Sequence, residues 1–96
     1  MLVHIVMFAF KEENKESNLV HVKSMLEALP NAIESLKSME VGIDISKSER
    51  SFDLVLTSTF DDQAALSAYA IHPAHLEVVS VIKEVTTVAK VVDYLV

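Results

Sequence analysis

The first and last segments of this 96-residue chain are β-prone runs that are apolar on both faces, which is the feature that most restricts its fold. Residues 2–10 set Val3, Ile5 and Met7 on one side against Val6, Phe8 and Phe10 on the other. Near the end, Val91 and Leu95 oppose Val88, Val92 and Val96. An antiparallel sheet with one wet face alternates polar and apolar residues. These segments do not alternate, so both faces of the sheet must be covered. At about 25 cal/mol per Å2 of apolar area, leaving several such side chains in water costs a few kcal/mol, a large share of a small domain's stability.

The segments between them supply only one covering layer. Leu19, Val22, Leu26 and Leu29 recur at helical spacing from about Ser17 to Leu29, and Pro30 follows where a helix would stop. Residues 36–45 read as a strand containing the only glycine, Gly42, which suggests a bulge or a close backbone approach. A polar turn over 46–51 leads into a strand over 52–60. Asp61 or Asp62 can cap the next helix, whose inward residues are Ala65, Leu66 and Tyr69. His72-Pro73 breaks that helix, and Pro73 starts another running to about Lys83. A last strand spans 86–96. The order strand, helix, strand, strand, broken helix, strand predicts a single α+β domain over residues 1–96: a ferredoxin-like βαββαβ unit with a four-stranded antiparallel sheet. Its second face is expected to be covered by an identical sheet from another copy, making a two-fold homodimer with face-to-face sheets that can close into a barrel.

Composition narrows the function classes. No cysteine is present, so disulfides and thiolate-bound metals are not expected, and a reducing cytoplasm suits the chain. A net charge of -6, with eight scattered Lys and Arg residues, repels phosphate backbones and anionic lipid, so neither nucleic acid nor a membrane is an expected partner. The apolar opening segment reads as a strand rather than a signal-peptide core, since no basic segment precedes it. No apolar run approaches the roughly 18 to 20 residues that a membrane-spanning helix needs, which predicts a soluble protein.

Proton-transfer chemistry concentrates in Tyr69-Ala70-Ile71-His72-Pro73-Ala74-His75. His75 falls in the first turn of a helix, where the dipole disfavours a positive charge and helps keep the imidazole neutral, as a general base requires. Asp93 shares a strand face with Val91 and Leu95, from which it can orient His75. Tyr69, six residues before His75, can donate to a developing oxyanion. Each has a plainer reading. A His–Asp pair can simply tie helix to strand, Tyr69 can be core filler, and His72 suits a helix cap before Pro73. His4, among Val and Ile, reads as a satisfied structural residue. In a ligand site, His4, His72, Leu26 and Leu66 would line the substrate space. Zinc on His72, His75 and Asp93 is weakly supported, so neither metal nor organic cofactor is expected.

Several landmarks occur in order along nearly the whole chain: His4-Ile5-Val6, Phe8-Ala9-Phe10-Lys11, Leu29-Pro30, Val41-Gly42, Phe52-Asp53-Leu54-Val55, the Tyr69–His75 motif and Val92-Asp93-Tyr94. Together they resemble the stress-responsive A/B barrel domain (Dabb) family. The resemblance implies a dimeric α+β barrel, in agreement with the strand patterning. It also implies a relation to the plant polyketide cyclase that forms olivetolic acid by an intramolecular aldol condensation. There, a Tyr and the second His of the same motif, with an Asp on the last strand, carry the acid/base work; these correspond to Tyr69, His75 and Asp93, and His4 has a counterpart too. The cyclase has aromatic residues on its first helix where this chain has Leu19, Val22, Met25 and Leu26, so the substrate does not carry over.

Three functions compete on this basis. One is a cofactor-free cyclase-like or isomerase-like enzyme with a ligand-sized cavity between helices and sheet. The second is a non-catalytic dimeric binding or stress-protective module. The third, a monooxygenase of the antibiotic-biosynthesis type, is disfavoured by the lack of tryptophan and by the His-Pro-Ala-His signature.

Overall fold

The computed structural model describes residues 1–96, and its elements follow the predicted order. They are β1 (Leu2–Phe10), α1 (Lys15–Glu27), α2 (Leu29–Ala32), β2 (Ser38–Ile43), β3 (Leu54–Phe60), α3 (Gln63–Ala70), α4 (Pro73–Val85) and β4 (Thr86–Leu95). The four strands form one antiparallel sheet in the order β2-β3-β1-β4, the ferredoxin-like arrangement. The central strands are therefore β1 and β3, and β4 is an edge.

All helices lie on one face. Leu2, Val6, Phe8 and Phe10 of β1 and Leu54, Leu56 and Phe60 of β3 point towards them and form one core with Leu19, Val22, Leu26, Leu29, Val78 and Ile82. The three-and-four spacing seen in the sequence is thus the buried stripe of α1. Asp62 caps α3 by accepting from the Ala65 N–H at 2.9 Å. His72 caps α4 with its ring, which the plainer reading of that residue predicted: Nδ1 accepts from the Ala74 N–H at 3.0 Å, and Pro73 occupies the first turn. No single helix is long and apolar enough to cross a membrane; α3 and α4 meet at a 65° bend.

Three expectations are corrected. Pro30 does not end the helical region but sits in the first turn of the short α2, a position that needs no backbone N–H. Gly42 makes no bulge. It pairs regularly with Val55, and a Cβ there would meet Val55 Cγ1 at an ordinary 3.5 Å; the irregularity in the sheet falls at Ala9/Phe10 instead. Finally, the helices do not reach across β4. Val91 and Leu95 are on the helix side by register, opposite the buried Val6 and Leu2, yet are 54% and 74% exposed. On the opposite face Val92 is 58% exposed and Val88 and Tyr94 are also open. Both sides of the last strand are thus apolar and uncovered within one copy of the chain.

Candidate active site

The register of the sheet assembles the site. Because β1 and β4 pair antiparallel, His4 lies directly opposite Asp93, both on the helix side. His4 Nδ1 donates to Asp93 Oδ1 at 2.5 Å, a short charge-assisted bond. Asp93 therefore orients His4, not His75 as the sequence suggested. The reason is geometric: an adjacent strand places a partner within reach of a short aspartate, whereas His75 is on a helix above the sheet.

Tyr69, on the last turn of α3, reaches from above into the same space. Its ring centroid is 4.2 Å from that of His75, 5.1 Å from Phe60 and 6.5 Å from His4. The helix break at 71–72 is what turns the chain so that Tyr69 and His75 face each other. Tyr69 is only 2% exposed, and burial pushes its phenol up to about 12. The hydroxyl makes no hydrogen bond within the chain, while Ser35 Oγ alone is a sealed side-chain polar atom without a partner, so the Tyr69 oxygen keeps some access to solvent.

His75 is half-buried and its pKa is lowered. Burial is the main cause, partly offset by a hydrogen bond from Nδ1 to the Ala70 carbonyl at 3.1 Å, with repulsion from His4 and His72 adding to the lowering. The neutral imidazole expected of a base is thus favoured, though by burial first rather than by the helix dipole. A carbonyl only accepts, so Nδ1 carries the hydrogen and Nε2 of neutral His75 keeps its lone pair.

The remaining predicted residues divide between site and core. His4, Tyr69, His75 and Asp93 come together. His72 spends Nδ1 on its capping bond, and no group of three or more potential metal ligands converges anywhere in the chain. Leu26, 1% exposed, and Leu66 are sealed in the core and wall no open space. Neither of the two principal hollows is the ligand-sized cavity expected between helices and sheet, since neither is lined by His4, Tyr69, His75 or Asp93. They are an open groove of about 1500 Å3 between the start of α1 and the 44–53 loop, and one of about 330 Å3 on the uncovered sheet face beside Met7, Gly42 and Val55. The larger groove has its Lys15 spent on Glu12 at 3.0 Å and on Asp53 at 3.5 Å, so it carries less chemical argument than the meeting of His4, Tyr69, His75 and Asp93.

This fold and this cluster define a class: a ferredoxin-like α+β domain with a histidine, tyrosine and aspartate set between the broken helix and the sheet edge. The chain belongs to the Stress responsive A/B Barrel Domain (Dabb) family, whose model matches residues 2–96. It is 26% identical over 93 residues to the Arabidopsis thaliana stress-response A/B barrel domain-containing protein HS1, covering 95% of this chain and 85% of that one. Among solved structures it resembles a dimeric protein of unknown function and ferredoxin-like fold from Bacteroides fragilis, with a TM-score of 0.89, 30% identity, and 97% and 93% of the two chains covered. It also resembles a hydroxynitrile lyase from Passiflora edulis, with a TM-score of 0.87 and 99% and 92% covered; at 19% identity that likeness shows the fold alone.

Proposed function

We propose that this domain binds a small organic ligand in the cleft between α3, α4 and β4 and moves a proton on it without an organic cofactor. The observation that carries the reading is the meeting of a buried phenol, a half-buried imidazole of lowered pKa and a His4–Asp93 pair, drawn from four separate elements. His75 Nε2 would take a proton from a carbon or hydroxyl next to a carbonyl, while the Tyr69 hydroxyl donates to the oxygen on which negative charge grows. Asp93 is a positioning residue, acting through His4. A family member whose fold neighbour is a lyase makes acid/base work on a small molecule a natural use of this architecture.

The working assembly is inferred to be a pair of copies. Met7, Val88, Val92 and Tyr94 are exposed on the face without helices, with Ile5 and Val55 partly so, a burden that face-to-face packing of two sheets removes. The similar Bacteroides protein is described as dimeric.

The test is exchange of the methyl hydrogens of acetophenone into deuterated water, followed by NMR. The intact protein is expected to accelerate exchange over buffer, and His75→Gln to remove the acceleration while keeping the fold. Equal rates with and without His75 refute the reading. A non-catalytic module is the second reading, favoured by the fact that the ring bonds of His4 and His75 also fasten β1 to β4 and α4 to α3. It expects His75→Gln to lower the melting temperature and leave exchange at the buffer rate in both proteins.

A further inference from the structure

The hydrogen-bonding partners of the histidines fix which atoms face a ligand. Asp93 Oδ1 and the Ala70 carbonyl can only accept, so His4 Nδ1 and His75 Nδ1 must both donate to them. A neutral imidazole bonded in this way keeps its lone pair on Nε2, and the His4 and His75 rings stand 6.5 Å and 4.2 Å from the Tyr69 ring, centroid to centroid. His72 is the reverse: its Nδ1 accepts from Ala74, so its hydrogen is on Nε2.

Charge adds a second constraint. The segments that build the cleft, residues 1–6, 58–62, 66–79 and 91–96, contain no Lys or Arg but include Asp61, Asp62, Glu77 and Asp93. Lys37 is held on Asp61 at 3.3 Å, Lys23 donates to the Val41 carbonyl at 2.7 Å, and Lys90, opposite Met7, lies on the other face of the sheet. Besides Lys37, the Met1 ammonium is a cation at this end, hydrogen-bonded to Val96 O and about 10 Å along the strand from His4.

We propose that the cleft selects neutral ligands carrying a hydroxyl group, such as phenols, enols and hydroxylated carbonyl compounds, and rejects carboxylates. The inference rests on the ligand-site reading above and narrows it. A hydroxyl gives its hydrogen to an Nε2 lone pair and can accept from Tyr69. A carboxylate has nothing to donate, meets no guanidinium or ammonium in the cleft, and is repelled by Asp93. Burying polar groups without partners is what makes such discrimination strong.

The experiment titrates three probes of similar size, phenol, anisole and benzoate, into protein labelled with 15N at histidine, at neutral pH. Before any addition, the ring nitrogen shifts are expected to show hydrogen on Nδ1 and none on Nε2 for both His4 and His75; hydrogen on either Nε2 overturns the proposal. Phenol is expected to shift the Nε2 signals of His4 and His75 and to bind at least about tenfold more tightly than benzoate or anisole. Benzoate binding as tightly as phenol overturns the charge selection and leaves the ligand site standing. Anisole matching phenol overturns the role of the hydroxyl. No response to any of the three removes the ligand site itself, and this inference with it.

Discussion

Replacing Tyr69 with Phe isolates the most strongly perturbed group of the cleft. Its pKa is raised from 10.0 to about 12 because burial penalises the phenolate. A group whose folded value exceeds its unfolded one holds its proton longer when folded, so the unfolded chain loses protons first as pH rises past 10.0, and stability falls until about pH 12. Two units at about 1.4 kcal/mol each set an upper figure of about 3 kcal/mol, and contact of the hydroxyl with the cleft screens part of this, leaving about 1 to 3 kcal/mol. Tyr69→Phe has no proton to lose. Its stability relative to the intact protein is therefore expected to improve by that amount between pH 10.0 and pH 12, measured as the difference between urea unfolding curves, in which the titration of every other group cancels. Phenolate absorbance gives an independent reading: the part of the signal that Tyr69→Phe removes should appear towards pH 12. A Tyr69 signal that appears already near pH 10.0, with unfolding curves that keep a constant separation, would show that the phenol is not held protonated by burial, and the donor role assigned to it would fall.

The other expectations are quicker to state. Because His75 is lowered from 6.5, the intact protein gains stability as pH rises through the window that ends near that value; His75→Gln should lack this gain, so the stability of the intact protein relative to the variant should rise with pH up to about 6.5 and stay constant above it. Acetophenone exchange should likewise persist below pH 6.5, where an ordinary histidine would already be charged. Leu26→Ala removes a sealed core side chain and should cost about 2 to 5 kcal/mol by urea unfolding, whereas a loss under 1 kcal/mol would contradict its burial. Val92→Lys, on the uncovered sheet face, should convert a dimer into a monomer in sedimentation velocity without unfolding the chain. Asp62→Ala should cost about 0.5 to 2 kcal/mol through loss of the α3 cap, read by the same unfolding assay.

Much of the fold was legible because the signals were local. The helical spacing of Leu19, Val22 and Leu26, the β-branched run before Phe60, the Asp62 cap and the His72-Pro73 break each act within a few residues. The misreadings came where two local rules compete. Pro30 serves a helix end and a helix start equally well, and only the docking of Leu29 into the core decides for α2. Gly42 had a bulge available to it, but the strand runs regularly past Val55, which stands at an ordinary contact distance from where a Cβ would be.

The site was legible as a set of residues and illegible as a set of bonds. Alternation along β4 places Asp93 on the helix side, yet alternation is silent about which residue of the neighbouring strand stands opposite, because that depends on strand order and on register across 89 residues of sequence. Once β4 lies beside β1 with Leu2 against Leu95, His4 falls opposite Asp93 and no freedom remains. This has a chemical consequence for His75. Without a carboxylate behind it, its ring is oriented by a neutral carbonyl, which stabilises an imidazolium less than an aspartate would. A site that kept a charged histidine for long would need the aspartate there. One whose base takes a proton and passes it on quickly is better served by the carbonyl, while the aspartate fixes the hydrogen of the second imidazole on Nδ1.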